Sequence, residues 1–333
     1  MREIDVHDRE AVHRHWEIGK LADAASRPYD FYPPYETARL TYENGRDDIR
    51  FVLLGAYDGD TMVGAGRVAL NLLDNLHAAS ADVFVDPAWQ RRGIGRALEA
   101  ECVRVARDEG RRLMMTEAYA PIDDESPGTR FAAACGYSPG IQDAMKVVDL
   151  VATEPTWDAL AAKADEQRAG YELVTWQDHM PEELVEGYCR INEIFFDEAP
   201  TGDMEIENEV WDAARVAARE ERNRVTGRHE VSAGAVAPDG TLVAVTEVMI
   251  NARAPQRGFQ SGTLVLPEHR GHRLGLAVKV ANHRQIRAAF PDCAVLITGN
   301  ADENAPMNAV NTQLGYRDVE RCVELQKDIS VSG

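Results

Sequence analysis

Glu247 stands in the middle of TLVAVTEVMI, an otherwise apolar run that reads as a buried strand. A carboxylate there is costly to bury unless it is paired or used, and burial raises its pKa toward that of a working base. Such a group could accept a proton, directly or through a water, or bind a cation. A structural ion pair or a solvent-facing carboxylate is the plainer alternative. Arg67 holds the same place in TMVGAGRVAL, 180 positions earlier, and can do neither.

That offset belongs to a repeat. Thr61 and Thr241, Pro87 and Pro267, and Gly95 and Gly275 all stand 180 positions apart, and Gly136-Tyr137 recurs as Gly315-Tyr316 at 179. The longest matching stretches are VFVDPAWQRRGIGRAL from Val83 and TLVLPEHRGHRLGLAV from Thr263. A register held over such a distance indicates a duplicated domain. In each copy a strand ends, turns on small residues and starts a helix whose free N–H groups can converge on a phosphate. Gly93 and Gly95 permit close backbone approach in the first copy. Arg91, Arg92 and Arg96, and His269, Arg270, His272 and Arg273, crowd cations at a helix start, where a bound anion would relieve them; a solvated basic helix start is the plainer alternative. Neither copy ends in Gly-Lys-Ser/Thr, which excludes a Walker loop, and both follow hairpins rather than the first strand of a βαβ unit.

The elements that must position these groups repeat as well. In the first half, strands are expected at 3–6, 51–57, 62–70, 79–85, 113–118 and 144–151, with helices at 8–25, up to Gly45, at 93–109 and after Ser126-Pro127. The segment 27–35 is broken by prolines. In the second half, strands are expected at 171–176, 231–237, 242–250, 259–266, 294–298 and 319–327, and helices at 181–196, 207–222, 272–290 and 304–314. The domains so defined are 1–152 and 171–333, joined by a charged, Ala-rich helical connector over 153–170.

The chain's 333 residues suffice for two cores. A net charge of −20 argues against nucleic acid or anionic lipid as a partner, and no apolar run approaches the ~20 residues of a membrane span. The start, MREIDVHDREAV, lacks an apolar leader core, and five scattered cysteines without a CxxC suggest reduced thiols in a cytoplasm. His269 and His272 are spaced like metal ligands but lack thiol or carboxylate companions, so no metal is expected.

The phosphate-loop stretch, followed by a helix, a strand and a helix ending in Gly-Tyr, resembles the GNAT acetyltransferase superfamily in both halves. The resemblance implies an α/β (α+β) fold of two GNAT domains, each a mixed, mostly antiparallel sheet flanked by helices, with acetyl-CoA as cosubstrate. It implies that Gln90, Arg91, Arg92, Gly93, Gly95 and Arg96 cradle the pyrophosphate in one half, and Arg270, Gly271, His272, Arg273, Gly275 and Leu276 in the other. Val83, Phe84 and Val85, and Leu264 and Val265, would lie along the pantetheine arm. Arg273 stands where the family has its first glycine, so the second loop either bends without one or keeps a right-handed backbone. The family's asparagine before the last helix aligns with Glu125 and with Asn304, and its tyrosine near that helix's end with Ala132 and with Asn311. Neither copy therefore has the tyrosine that often protonates the departing thiolate.

The function so implied is acetyl transfer to a primary amine of a small molecule by direct attack, with the chemistry in the second half. Glu247 would be the base, Asn304 a further catalytic group, and the strand from Thr263 would supply a donor to the thioester oxygen, with Glu117 of MMTEAYA the rival base. A non-catalytic acetyl-CoA sensor and a protein N-acetyltransferase are the alternatives, and a monomer or homodimer is expected. The acidic run Asp197, Glu198, Asp203 and Glu205 could attract a cationic acceptor.

Overall fold

The computed structural model describes every residue except 26, 28, 30, 169 and 331–333. In chain order its strands are β1 (Arg2–Glu3), β2 (Ile49–Asp58), β3 (Thr61–Asn71), β4 (Ala78–Val85), β5 (Leu113–Ala120), β6 (Ser138–Asp149), β7 (Glu172–Gln177), β8 (Arg228–Val236), β9 (Leu242–Asn251), β10 (Ala254–Val265), β11 (Val295–Ala301) and β12 (Arg317–Asp328). Its helices are α1 (Arg9–Ala24), α2 (Tyr35–Asn44), α3 (Ile94–Asp108), α4 (Pro127–Ala134), α5 (Leu150–Thr153), α6 (Trp157–Asp165), α7 (Val185–Glu193), α8 (Phe195–Glu198), α9 (Ala213–Thr226), α10 (Leu274–Ala289) and α11 (Ala305–Gln313). They form two compact units: Met1–Asp143 with Thr201–Glu207 and Glu320–Gly333, and Ala144–Pro200 with Asn208–Val319.

In the first unit β1 to β4 run antiparallel, β4 and β5 pair in parallel, and β12 returns antiparallel to β5 with Glu324 opposite Glu117. Central strands read as near-continuous apolar runs because both faces are covered. Val52, Leu54 and Ala56 of β2 pack with Leu98, Cys102 and Ala106 of α3, while Leu53 between them packs with Val12 and Ile18 of α1. The second unit repeats the plan: β7, β8, β9 and β10 are successively antiparallel, and β10 pairs with β11 in parallel. Trp176, Tyr188, Val243 and Val245 form a core with α7, and Trp157, Ile286 and Leu296 another with α10.

The local signals hold where they are strongest. Asp8 caps α1 through Ala11 N–H, and Ser126 opens α4 in a capping box with Thr129. Where a helix is expected over 207–222, α9 starts only at Ala213, capped by Asp212. Residues 201–207 instead belong to the first unit, where Glu205 N–H donates to Gln326 and Glu207 N–H to Asn75, at 3.0 and 2.7 Å. The helix expected over 181–196 is broken into a 3₁₀ turn, α7 and α8, and the strand expected from 144 begins at Ser138. Against the division expected from the repeat, residues 144–152 join the second unit and residues 320–328 the first. A strand's hydrogen-bond partner is a tertiary choice that its own sequence does not encode.

Candidate functional site: two splayed clefts and a cavity at Glu247

In each unit two parallel strands part company. β4 and β5 pair only from Ala78–Ser80 to Leu113–Met115, and β10 and β11 only from Arg257–Phe259 to Val295–Ile297. All four strands then run on, so their backbone polar groups border an open cleft. The β3–β4 ladder beside the first cleft is unbroken from Leu70↔Ala79 to Gly64↔Val85. The β9–β10 ladder beside the second is bulged between Gln260 and Thr263, directly opposite Glu247. A bulge leaves an extra residue outside the ladder and frees its N–H. The amide of Gln260 fills part of the gap, donating to Glu247 O at 2.7 Å.

Both strands lead into loops of one shape. After the 3₁₀ turns Pro87–Trp89 and Pro267–His269, the backbone takes positive φ twice: 63° at Arg91 and 83° at Gly93, then 86° at Gly271 and 54° at Arg273. Glycine and arginine have exchanged places. Arg273 is left-handed, so the right-handed alternative does not occur. Neither α3 nor α10 has a side-chain cap, leaving the first-turn N–H groups to an external acceptor. The side chains differ sharply. Among the described residues Arg91, Arg92 and Arg96 reach no carboxylate, and Arg92 lies 4.6 Å over the Trp89 ring. The weak bonds of this group are to carbonyls, Arg92 to Ala88 and Arg96 to Ala134, while Gln90 donates to Val85 O at 3.4 Å. In the second loop Arg270 pairs with Glu198 at 2.5 Å, Arg273 donates to Lys163 O at 2.5 Å, and His269 bonds Tyr171 at 3.0 Å. His272 is engaged too, at 3.1 Å from Gln167 O.

Glu247 is 8 % exposed and forms the floor of a cavity of about 190 Å³, with Asn192, Glu209 and the apolar wall of Ile191, Phe195, Phe196, Val245, Gly262 and Leu264. Its Oε1 accepts from Tyr188 Oη at 2.9 Å and from Arg219 Nη2 at 2.5 Å, and the same nitrogen donates to Glu230 at 2.5 Å. Burial first, then the neighbouring Glu247 carboxylate, pushes the Glu230 carboxyl up to about 7 against the opposing pull of Arg219. The plain alternative of an ion pair is thus realised together with the exposure to a cavity that a working carboxylate needs. Arg219, Glu230 and Tyr188 escape sequence reasoning because nothing in a helix or a neighbouring strand marks convergence on Glu247. The buried carboxylate in RHEVSAGAV is the one available hint.

At the matching place in the first unit Arg67 is ion-paired with Asp82 and lies 5.4 Å from the Phe51 ring centre. Glu117 is exposed, accepts from Tyr119 Oη at 2.8 Å, and faces Glu324, whose carboxyl is raised to about 7 by burial and then by Glu117. Val83, Phe84 and Val85 lie on β4 past its last pairing with β5, as Leu264 and Val265 do on β10 past β11. Gly95 is tightly packed, since a Cβ there would stand 3.3 Å from Phe131, whereas Gly275 has 3.8 Å to Val265. Asn304 caps α11 through Met307 N–H at 3.3 Å. The Thr263 hydroxyl bonds that of Thr246 at 2.7 Å and lies outside the cavity lining. Asn311 is buried between Lys279 and Asn300. Among the described residues no group of His, Cys, Asp or Glu is arranged to hold a metal, and no helix is long and apolar enough to cross a membrane.

Residues 18–137 match the family model of the Acetyltransferase (GNAT) family. No curated protein matches the chain by sequence. Among solved structures, a tandem GNAT protein from the clavulanic acid biosynthesis pathway is 27% identical, with a TM-score of 0.83 over 99% of this chain and 98% of that one. A GCN5-related N-acetyltransferase from Sphaerobacter thermophilus, 16% identical, covers 100% of this chain and 96% of its own at TM-score 0.63. A GCN5-related glucosamine N-acetyltransferase region of a fungal multi-domain β-N-acetylglucosaminidase, 11% identical, gives 0.70 over 98% of this chain and 38% of that one. The last two speak for the fold alone. Residues 18–137 thus match the GNAT acetyltransferase family, and the chain as a whole is similar in fold, from end to end, to a tandem GNAT protein.

Proposed function

We propose that the protein transfers the acetyl group of acetyl-CoA to a primary amine of a small molecule, and that the second unit performs the chemistry. One observation carries this assignment: the β10 bulge and the cavity lie against Glu247, whereas the unbroken β3–β4 ladder and the Arg67–Asp82 ion pair occupy the corresponding place in the first unit.

The loops fit a pyrophosphate. Both helices lack a side-chain cap, and a Cβ added at Gly93 or Gly271 would meet nothing within 4 Å, so the approach to their N–H groups is open. Acetyl-CoA, when bound, supplies an activated thioester. This chain's residues do the rest. Phe195, Phe196 and Leu264 exclude water and hold the apolar body of the acceptor, whose amine enters in its neutral form facing Glu247. As the amine nitrogen attacks, Glu247 takes its proton, and Arg219 and Tyr188 keep the carboxylate aimed. The N–H freed at the bulge is a donor for the developing oxyanion. A carbon–nitrogen bond forms, the carbon–sulfur bond breaks, and the electron pair leaves on sulfur.

The first unit, with three arginines that meet no carboxylate among the described residues and a cleft next to an ion pair, is suited to holding acetyl-CoA without turning it over. Five free cysteines suit a reducing compartment such as the cytoplasm. The decisive experiment follows release of free CoA thiol with a panel of small primary amines, comparing Glu247→Gln with Glu117→Gln. Loss of turnover in the former alone supports the assignment. Unchanged turnover in Glu247→Gln removes it, and tight acetyl-CoA binding with no turnover of any amine by the unaltered protein would leave only a sensor.

A further inference from the structure

The second unit holds a lysine that no carboxylate meets among the described residues. Lys279, on α10, is 1 % exposed, and burial lowers its pKa to about 7. Its surroundings are the Tyr316 ring, 5.2 Å from Nζ, and His283, which burial and then Lys279 hold at about 3. Its Nζ donates to Asn311 Oδ1 at 2.9 Å, and Asn311 Nδ2 in turn donates to Asn300 Oδ1 at 2.5 Å.

This chain has a direction. As an ammonium Nζ can only donate, so Asn311 presents its oxygen to Lys279 and its NH₂ to Asn300. Asn300 must then accept with its oxygen, which leaves its own NH₂ as the terminal donor. No protein acceptor takes it among the described residues. Asn300 is half-buried and lies three residues past Ile297, the last β11 residue paired with β10, on the stretch that borders the cleft. Alternation puts it on the same face as Thr298, whose hydroxyl bonds Gln260 O at 3.1 Å where the bulge begins. The donor therefore lies along the cleft in which the thioester must sit, and Asn311 occupies the position of the tyrosine that this chain lacks.

We infer that the Asn300 amide donates to the departing thiolate sulfur, and that Lys279, acting through Asn311, is the positioning residue that fixes the direction of that amide. The electron pair of the broken carbon–sulfur bond is stabilised by one N–H donor, and the amine proton goes to Glu247, so no further reactant is needed. This rests on the second unit's being the reacting one.

The test uses the full-length protein with acetyl-CoA and whichever amine the panel identifies. Asn300→Ala should lower kcat about tenfold, the worth of one neutral hydrogen bond made in the transition state, with KM for acetyl-CoA unchanged. Asn300→Asp should be slower than Asn300→Ala, because it sets an anion against the thiolate; a merely structural asparagine would order the two the other way. Lys279→Met should reproduce the kcat loss of Asn300→Ala and add little to it in the double variant. Should Lys279→Met fail to fold, the Asn300 pair decides alone. If Glu247→Gln abolishes turnover while both Asn300 variants keep kcat, this inference is overturned and the assignment of the second unit stands. If Glu247→Gln is without effect, both fall.

Discussion

Glu230 and Glu247 share one guanidinium nitrogen: Nη2 of Arg219 stands 2.5 Å from an oxygen of each. Two carboxylates and one cation cannot all be satisfied in a buried place, and the Glu230 carboxyl rises to about 7 in consequence, through burial first and the Glu247 charge second. As the Glu230 carboxyl ionises through about 7 it competes with Glu247 for Arg219, so kcat/KM should change with pH through that value. Glu230→Gln removes the titrating group and should flatten the profile there. A pH profile of kcat/KM for the free enzyme reads this directly, and a step near 7 that persists in Glu230→Gln would count against Glu230 as its source.

The same pair leaves a mark on stability. A carboxyl whose folded pKa lies above its unfolded value contributes fully below the unfolded value, 4.5, and that contribution is lost as pH rises through about 7. Lys279 runs in the opposite sense. Its folded pKa, about 7, lies below the ordinary 10.5, so stability rises with pH between the two and is lost as pH falls through 7. Denaturant midpoints between pH 7 and 10 should climb in the native protein and flatten in Lys279→Met.

Arg273 holds a left-handed backbone at φ 54°, where the first loop has Gly93 at φ 83°. Arg273→Gly should stabilise the protein by about 1 kcal/mol, since a side chain in that conformation costs roughly 1–2 kcal/mol. Gly93→Ala, the reverse change, should destabilise by a similar amount. Urea unfolding of both variants measures it, and a loss of stability in Arg273→Gly would show that the contacts of Arg273 with Lys163 and Glu166 outweigh the strain.

The two loops should also differ in affinity. Arg92→Ala with Arg96→Ala should weaken acetyl-CoA binding at the first unit about tenfold, because those cations have no carboxylate to compete with. Glu198→Gln frees Arg270 and should tighten binding at the second unit. Calorimetric titration of the single and combined variants separates the two sites, and an effect of Glu198→Gln on the first site alone would contradict the pairing.

Much of this was legible in the chain. The repeat at 180 positions, the apolar periodicity and the Ser126 cap determined two units of mixed strand pairing with a helix leaving each loop, because such signals act between residues near one another in sequence. Glu247 stood out for the same reason: a carboxylate in an apolar strand is a local anomaly. The sequence could not say that Arg219 and Tyr188 would meet it, that Arg273 would take the left-handed conformation that falls to Gly93 in the other copy, or that Asn311 would be braced by Lys279. Nor could it say that residues 320–328 would pair with β5, with Glu324 opposite Glu117. Those relations join groups far apart in the chain, and what selects them is the satisfaction of buried charges and strand edges once the core has closed. Local preference determined which elements form, and tertiary packing decided which charges share a cavity and which stay free for an anion.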